Sequence, residues 1–309
     1  MSLARKILLT AAALLATGAA PLLAQDKVPV VATFSILGDF VGNVGGERIA
    51  LSTLVGPNGD GHVYSPTPAD ARKIKEAKVA FVNGLKFEGW ITRLVRSSGT
   101  KAKVIEASKG VRTIKVAESS PAHDHGDHSH AGDIDPHAWQ SVGNAKVYVG
   151  NIRDALIAAD PAGQEAYAAN ATAYLARLDE LEREVKEIVA KIPPDRRRVI
   201  TSHDAFGYFA DAYGVAFVAP QGVSTDAEAS ARDVARIIQQ MRKEKIAAVF
   251  LENVSDPRLT KRIADETGAK VGGTLYSDAL SDASGPAATY IDMVRHNART
   301  LAAALAPSS

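Results

Sequence analysis

The chain has 309 residues, with 36 basic and 35 acidic side chains and no cysteine. This balance of charge gives no general attraction for nucleic acid, and the lack of cysteine excludes disulfides and thiolate metal ligands. The length is enough for two domains.

The first 24 residues are predicted to be a secretory signal peptide. Arg5 and Lys6 form its basic start, Ile7–Ala16 is a mostly apolar run, and small residues lead up to a cleavage position after Ala24. The run is shorter than the about 20 apolar residues that a membrane-spanning helix needs. Cleavage would remove Arg5 and Lys6 and no acid, which changes the net charge from +1 to −1. We therefore expect an exported, soluble periplasmic protein, without a lipid anchor because no cysteine is available to carry one.

Strand and helix signals alternate in both halves of the rest of the chain, which favours βαβ units and parallel sheets. In the first half, the predicted strands are Val28–Phe34, Ile49–Val55, Val79–Asn83 and Lys103–Glu106, and the predicted helices are Ser35–Val44, Pro68–Ala77 and Phe87–Ser97. In the second half, the predicted strands are Arg198–Ser202, Val215–Ala219, Ala247–Leu251 and Lys270–Leu275, and helices are predicted near 205–213, 230–244, 256–267 and 286–304.

A different segment lies between these halves. A helix is predicted over Ser141–Ala159, and a much longer one over 163–192, where apolar residues recur every three or four positions from Tyr167 to Ile192. A helix of about 30 residues is ~45 Å long, so we interpret it as a rigid rod between two α/β lobes, over 25–162 and 193–309. A coiled-coil arm of a dimer is the alternative, but the pattern covers one segment only, and we expect a monomer.

Five of the eight histidines fall between positions 123 and 137. Four of them lie among Asp, Gly and Ser in the stretch 119–131, which predicts a mobile surface loop; they are His123, His125, His128 and His130. Imidazole is a common zinc ligand, so this His-rich loop is a candidate accessory metal site, and an ordinary polar loop is the alternative. His137 differs, because it follows Pro136 and lies next to the bulky Trp139, which predicts a rigidly held side chain.

Three further candidate ligands follow predicted strands. His62 comes after the second strand of the first half, His203 after the first strand of the second half, and Asp278 after the last strand. Ligands bind at the carboxyl ends of strands in open α/β sheets, so these residues and His137 are expected to meet in the cleft between the lobes. Three imidazoles and one carboxylate can complete a tetrahedral zinc site. Taken singly, each histidine could instead be a hydrogen-bonded structural residue, and Asp278 could cap a turn.

At these residues the chain resembles the ZnuA-like (cluster A-I) family, the periplasmic solute-binding proteins of zinc and manganese ABC transporters, and within it the zinc-specific AztC type. The resemblance covers nearly all of the chain after the signal peptide, and its motifs are Gly61-His62-Val63-Tyr64-Ser65-Pro66-Thr67, Asp135-Pro136-His137-Ala138-Trp139, Thr201-Ser202-His203-Asp204-Ala205-Phe206 and Leu275-Tyr276-Ser277-Asp278-Ala279-Leu280. Gly61 stands where the family often has a proline, and Ser65 where an acid is common.

The resemblance implies an α/β protein with two (βα)4 lobes, parallel sheets and one long rigid helix between the lobes. It implies a non-enzymatic protein that binds Zn2+ as cargo through four residues in the interlobe cleft, namely His62, His137, His203 and Asp278. The implied partner is a cognate ABC permease in the inner membrane. A periplasmic zinc-donor protein is a further candidate partner, and no nucleic acid partner is expected.

The identity of the metal has alternatives. Manganese-type members of the family carry a carboxylate at the third ligand position, where this chain has His203, and nitrogen in place of oxygen favours zinc. Manganese or iron is the second candidate, and copper binds sites rich in nitrogen more tightly still. A secreted zinc hydrolase and a surface adhesin are alternative functions, but the chain lacks a His-Glu-x-x-His helix and a cysteine for lipid attachment.

Three further residues are assigned expected roles, two of them near the candidate site and one on the C-terminal helix. Glu252 follows a predicted strand and is either a hydrogen-bond acceptor for a ligating histidine or a partner in a surface salt bridge. Asp60 either orients His62 or belongs to a turn, and the turn is favoured by its neighbours Asn58-Gly59. His296, on the C-terminal helix, is expected to be a surface histidine.

Overall fold

A computed structural model describes residues 26–116 and 134–306 of the chain. The predicted signal peptide and the predicted His-rich loop, with its four histidines His123, His125, His128 and His130, lie outside the described residues. Within the described ranges, no helix combines the length and the apolar character that crossing a bilayer requires.

The N-terminal lobe contains a sheet of four parallel strands in the order β2-β1-β3-β4. The strands are β1 (Val28–Phe34), β2 (Ile49–Val55), β3 (Val79–Val82) and β4 (Lys103–Glu106), and the helices that follow the first three are α1 (Ser35–Gly45), α2 (Pro68–Glu76) and α3 (Ile91–Ser98). Val30 of the central strand β1 is aligned with Leu51 on one side and Val79 on the other. Because β1 is covered by helices on both faces, nearly all of its side chains are buried and apolar, as parallel strands require.

The start of α3 differs from the prediction, which begins this helix at Phe87. Leu85 and Lys86 have φ angles of 54° and 66°, in the left-handed region, so the backbone turns here instead of entering a helix. The turn places Phe87 and Glu88 in the interior, and α3 begins only at Ile91. Burial of these two side chains therefore overrides the local helical pattern.

Two helices follow the N-terminal sheet, α4 (Val142–Ala159) and the 27-residue α5 (Gln164–Ala190). The C-terminal lobe then repeats the first architecture with a second parallel sheet in the order β6-β5-β7-β8. Its strands are β5 (Arg198–Ile200), β6 (Ala216–Val218), β7 (Ala248–Glu252) and β8 (Lys270–Leu275), and its helices are α6 (Gly207–Tyr213), α7 (Ala231–Glu244), α8 (Pro257–Thr267) and α9 (Tyr290–Leu305). The predicted fold, two parallel α/β lobes with a long helix between them, is confirmed.

The long helix α5 contacts both lobes. On the N-terminal side, the hydroxyl of Tyr174 donates to Oδ2 of Asp39 on α1 at 3.0 Å. On the C-terminal side, Nε of Arg295 on α9 donates to Oε2 of Glu184 at 2.8 Å. The apolar face of α5 belongs to one hydrophobic core that also includes residues of both sheets. The two lobes are therefore packed together along this helix, while the exact domain boundaries stay a prediction.

His296, expected to be a surface histidine, also packs against the end of β8. His296 is only partly exposed, because α9 packs across β8. Its Nε2 atom lies 3.0 Å from the carbonyl oxygen of Thr274, and its ring lies 5.3 Å from the ring of Tyr276. This histidine therefore has a structural role in joining α9 to the end of β8.

Candidate metal centre

The structure brings four of the predicted site residues together in the cleft between the lobes. His62, His137, His203 and Asp278 each offer one nitrogen or oxygen atom, and these four atoms lie within 4.8 Å of one another. Oδ2 of Asp278 lies 3.1 Å from Nε2 of His203 and 3.4 Å from Nε2 of His62. Its Oδ1 atom lies 3.6 Å from Nε2 of His137. The donor atoms thus surround a space of the size that one metal ion would occupy.

The fold explains this meeting of distant residues. His62 lies in the loop after β2, His203 follows β5, and Asp278 follows β8, so all three lie beyond the carboxyl ends of parallel strands. His137 directly precedes a single 3-10 turn, Ala138–Gln140, that leads into α4. Two candidate ligands come from each lobe, and the cleft is where both sheets present their carboxyl ends.

The centre is shielded from solvent. His137, His203 and Asp278 are fully buried, and only 4% of the His62 side chain is exposed. Among the described residues, Oδ1 of Asp278 has no hydrogen-bond partner. A buried carboxylate oxygen without a partner is energetically unfavourable unless a cation compensates it. The donor set therefore fits a bound metal cation.

A buried carboxylate orients the His137 ring. Oδ1 of Asp135 accepts a hydrogen bond from the His137 backbone N–H at 2.9 Å and lies 2.8 Å from its Nδ1 atom. With a proton on Nδ1 shared with Asp135, the lone pair of Nε2 is left for the metal. The Asp-Pro-His motif therefore combines a candidate ligand and the acid that orients it in one short segment.

Glu252, at the end of the neighbouring strand β7, orients the ring of His203 in the same way. Its Oε2 atom lies 2.6 Å from Nδ1 of His203, and its Oε1 atom accepts hydrogen bonds from the backbone N–H groups of Ser202 and His203 at 2.6 and 2.9 Å. Glu252 is 3% exposed. The structure therefore supports the interpretation of Glu252 as a hydrogen-bond acceptor for a candidate ligand. Its burial excludes the alternative, a surface salt bridge.

Asp60 holds the backbone of the His62 loop. Its Oδ1 atom accepts a hydrogen bond from the His62 backbone N–H at 2.9 Å, which is a turn arrangement. Its Oδ2 atom accepts a hydrogen bond from the Thr225 hydroxyl at 2.6 Å, across the cleft. Asp60 is thus a turn residue that also joins the two lobes.

An aromatic side chain that sequence reasoning missed supports the ring of His62. The rings of Phe87 and His62 are 4.5 Å apart and nearly perpendicular, and Phe87 also packs on Trp139, with ring centroids 4.9 Å apart. Trp139 in turn lies 5.3 Å from the His137 ring. The sequence signal for Phe87 is its position shortly after β3, at the same edge of the sheet as the candidate ligands.

Phe87 also explains why Gly61 departs from the family pattern. A Cβ atom on Gly61 would lie 2.6 and 2.7 Å from two ring carbons of Phe87, closer than such atoms can approach. The carbonyl oxygen of Gly61 accepts a hydrogen bond from Nε1 of Trp90 at 2.7 Å. The Phe87 ring therefore occupies the space that a proline ring would need, and Trp90 holds the loop in place.

The charges of the centre shift the pKa values of its groups strongly. Burial lowers the pKa of His62. Burial also acts to lower the pKa of His137, but the charge of Asp278 and other nearby carboxylates outweighs it and raises this pKa to about 9. The pKa of His203 lies well above its usual value, because Glu252 and Asp278 outweigh the effect of burial. Burial acts to raise the pKa of Asp278, but His203 and His137 hold it well below its usual value. A metal that binds here must therefore displace protons.

Comparison with known proteins gives the family. The model of the family described as "Zinc-uptake complex component A periplasmic" matches residues 30–304. The manganese-binding lipoprotein MntA of Halalkalibacterium halodurans is 34% identical over 280 residues, which cover 91% of this chain and 89% of that protein. The manganese ABC transporter substrate-binding lipoprotein PsaA of Streptococcus pneumoniae is 30% identical over 287 residues, which cover 91% of this chain and 90% of that one.

A solved structure shows the same fold. The periplasmic zinc-binding protein TroA of Treponema pallidum superposes with a TM-score of 0.81 at 31% identity, over 91% of this chain and 100% of that one. The names of MntA and PsaA call both of them lipoproteins, which goes against the expectation of a protein without a lipid anchor. The names also divide between manganese and zinc, so they agree on a metal and not on which metal.

Both the family model and the relatives match almost the whole of the chain outside the predicted signal peptide. These relatives are solute-binding proteins and not enzymes, and as components of ABC transporters they imply a permease in the membrane as the partner. The chain therefore belongs to the ZnuA family of periplasmic metal-binding proteins, the substrate-binding components of metal ABC transporters.

Proposed function

We propose that this protein captures Zn2+ in the periplasm and delivers it to its cognate ABC permease in the inner membrane. The observation that carries the proposal is the buried cluster of three imidazole nitrogens and one carboxylate oxygen within 4.8 Å of one another. We propose that all four residues bind the metal, namely His62, His137, His203 and Asp278. Four protein ligands complete a closed tetrahedral site, the usual geometry for zinc held without catalysis.

The ligand set favours zinc over manganese and iron. Manganese prefers carboxylate, carbonyl and water oxygens in an octahedral arrangement, whereas zinc accepts imidazole nitrogen readily in a tetrahedral one. Here nitrogen outnumbers oxygen three to one, and the two further acids near the site, Asp135 and Glu252, lie against Nδ1 atoms of histidines instead of facing the centre. Manganese or iron is the second candidate, because relatives with this fold bind manganese.

We also propose an accessory role for the His-rich loop at 119–131, on its composition alone. Histidines spaced among Asp and Gly can bind zinc weakly and exchange it quickly, which suits capture or transfer from a periplasmic donor protein. Deleting the loop should leave the affinity of the main site within about tenfold, or ~1.4 kcal/mol, and remove weaker sites. Loss of the tight site in a folded deletion variant would place a primary ligand in this loop.

The proposal is tested by competition with a chelator. Wild-type protein and the His137→Ala and Asp278→Ala variants are titrated with zinc and, separately, with manganese. We expect the wild type to take zinc from the chelator. Loss of a residue that only orients a ligand weakens metal binding by about 10–100-fold, and each of these variants should lose more affinity than that. Unchanged zinc affinity in both variants, or tighter binding of manganese than of zinc by the wild type, would refute the proposal.

A further inference from the structure

The carbonyl oxygen of Ser277, directly before the candidate ligand Asp278, accepts two side-chain hydrogen bonds from the opposite lobe. Nε1 of Trp139 donates to it at 2.9 Å, and Nε2 of Gln140 donates at 2.7 Å. All of these groups are shielded from water, because Trp139, Gln140 and Ser277 are at most 1% exposed. The two donors lie two and three residues after His137 in the chain.

Two donors to one carbonyl constrain the peptide group more than one does. A carbonyl oxygen has two lone pairs, and here both donors lie at hydrogen-bond distance. The peptide group between Ser277 and Asp278 is planar, so fixing its oxygen from two directions also fixes the plane from which the Asp278 side chain departs. This constraint needs no metal, since all of its members belong to the protein.

We propose that Gln140 is a positioning residue for the metal site, which holds Asp278 beside His137 and thereby slows release of the metal. The inference rests on the proposed metal-binding role of the four-residue cluster. Gln140 belongs to the 3-10 turn that directly follows His137, so a short, buried path of backbone and one hydrogen bond links the His137 ligand to the Asp278 ligand across the cleft. The backbone N–H of Gln140 donates to the carbonyl oxygen of His137 at 3.0 Å, while its side chain reaches across to Ser277.

Gln140 is more informative than Trp139 for a test. The Trp139 ring packs against Phe34, Phe87 and His137, so its replacement would disturb the core and a ligand as well as the hydrogen bond. Gln140 interacts with Ser277 through the N–H of its side-chain amide. Gln140→Met keeps a side chain of similar length and removes that donor, and Gln140→Glu places carboxylate oxygens where the donor was.

The loop that carries Asp278 has a second attachment, which keeps the expected effect local. The backbone N–H of Leu280 donates to Oγ of Ser35 at 2.9 Å, and its carbonyl oxygen accepts from the backbone N–H of Asn58 at 2.8 Å. Both partners belong to the N-terminal lobe. Without the Gln140 donor, the loop should stay docked through Leu280, while Asp278 gains freedom to turn away from the metal.

The test measures zinc release and zinc binding separately in the full-length protein. Zinc-loaded wild type, Gln140→Met and Gln140→Glu are mixed with excess chelator, and the release is followed in time; association is measured by mixing metal-free protein with zinc. We expect Gln140→Met to release zinc about tenfold faster, within the range known for groups that orient ligands, and to bind it at an unchanged rate. Gln140→Glu should release it faster still.

Tyr213→Phe is the matched control. It removes a hydroxyl that lies away from the Asp278 loop. This hydroxyl accepts a buried hydrogen bond between the lobes from the backbone N–H of Val142 at 3.3 Å, and it donates to Oε2 of Glu182 at 2.8 Å. This variant should release zinc at the wild-type rate. Wild-type release from Gln140→Met, or equal acceleration in Tyr213→Phe, would overturn the positioning role and leave the zinc function standing. A wild type that binds no metal would overturn the proposed function itself.

Discussion

Nδ1 of His203 lies 2.6 Å from Oε2 of Glu252, a residue 49 positions further along the chain. The opposite ring nitrogen, Nε2, faces Asp278 at 3.1 Å. His137 repeats this arrangement, with Asp135 at its Nδ1 atom and Asp278 on the side of Nε2. Two of the three imidazoles are therefore oriented by buried carboxylates, so the Nε2 atoms that we propose as metal ligands are positioned by the protein itself.

Replacing Glu252 by Gln should weaken zinc binding by about 10–100-fold. The amide would no longer provide the negative charge that stabilises the proton on Nδ1 of His203, and the ring would be held less well. Competition with a chelator measures the effect. The control is Glu187→Gln, which changes an exposed acid on α5. Equal affinities of the Glu252→Gln variant and the wild type would show that this carboxylate does not support the ligand.

The affinity for zinc should increase as the pH rises from 7 to 9. Metal binds the neutral imidazole, and the pKa of His137 is raised to about 9 because neighbouring carboxylates outweigh the effect of burial. At pH 7 the metal-free protein therefore holds a proton that zinc must displace, which reduces the affinity by up to about tenfold per pH unit below this pKa. Calorimetry in buffers of different ionisation enthalpy should detect proton release on zinc binding at pH 7. Binding without proton release at that pH would be inconsistent with this site.

Glu88 should make the metal-free protein less stable as the pH rises from about 4.5 to 7. Burial raises the pKa of Glu88 to about 7 from an ordinary 4.5, although its Oε1 atom accepts hydrogen bonds from the Thr33 hydroxyl and the Asn83 backbone N–H. In this interval the unfolded chain loses the proton while the folded protein keeps it, so the free energy of unfolding falls with rising pH, by about 3 kcal/mol in total.

The Glu88→Gln variant isolates this contribution. Its amide oxygen can still accept both hydrogen bonds, but it does not titrate, so the difference in the free energy of unfolding between variant and wild type should grow with pH up to about 7 and then stay constant. Urea denaturation of both metal-free proteins at several pH values provides the measurement. A difference that does not depend on pH would mean that Glu88 titrates normally in the folded protein.

Gly61→Ala should weaken zinc binding because the new methyl group would lie where the Phe87 ring now is. Phe87 would have to move, and it is the ring that packs against His62. We expect a loss of affinity on the order of tenfold, the lower end of the range for groups that orient a ligand. The double variant Gly61→Ala/Phe87→Leu, which makes room for the methyl group, should recover part of it. Equal zinc affinities for all three proteins would show that Phe87 does not support His62.

Much of this architecture could be predicted from the sequence because its signals are local. The strands coincide with runs of β-branched residues, and α5 has apolar residues at a continuous helical period. The candidate ligands follow predicted strands, and ligands of open α/β sheets bind at the carboxyl ends of strands. The pairing of Gln140 with Ser277 could not be predicted, since 137 positions separate them and a glutamine has no pattern that identifies its partner. The turn at Phe87 could not be predicted for a similar reason. The burial of the Phe87 side chain depends on the cleft and not on the residues next to it in the sequence.

Equilibrium dialysis of the metal-free protein against equal concentrations of zinc and manganese, followed by metal analysis, tests the identity and place of the cargo most directly. The wild type should retain a single tightly bound zinc ion per chain and almost no manganese, because three imidazoles and one carboxylate favour zinc. The His137→Ala variant should retain much less zinc under the same conditions. Retention of manganese in preference to zinc by the wild type, or undiminished zinc in His137→Ala, would contradict a zinc site built from His62, His137, His203 and Asp278.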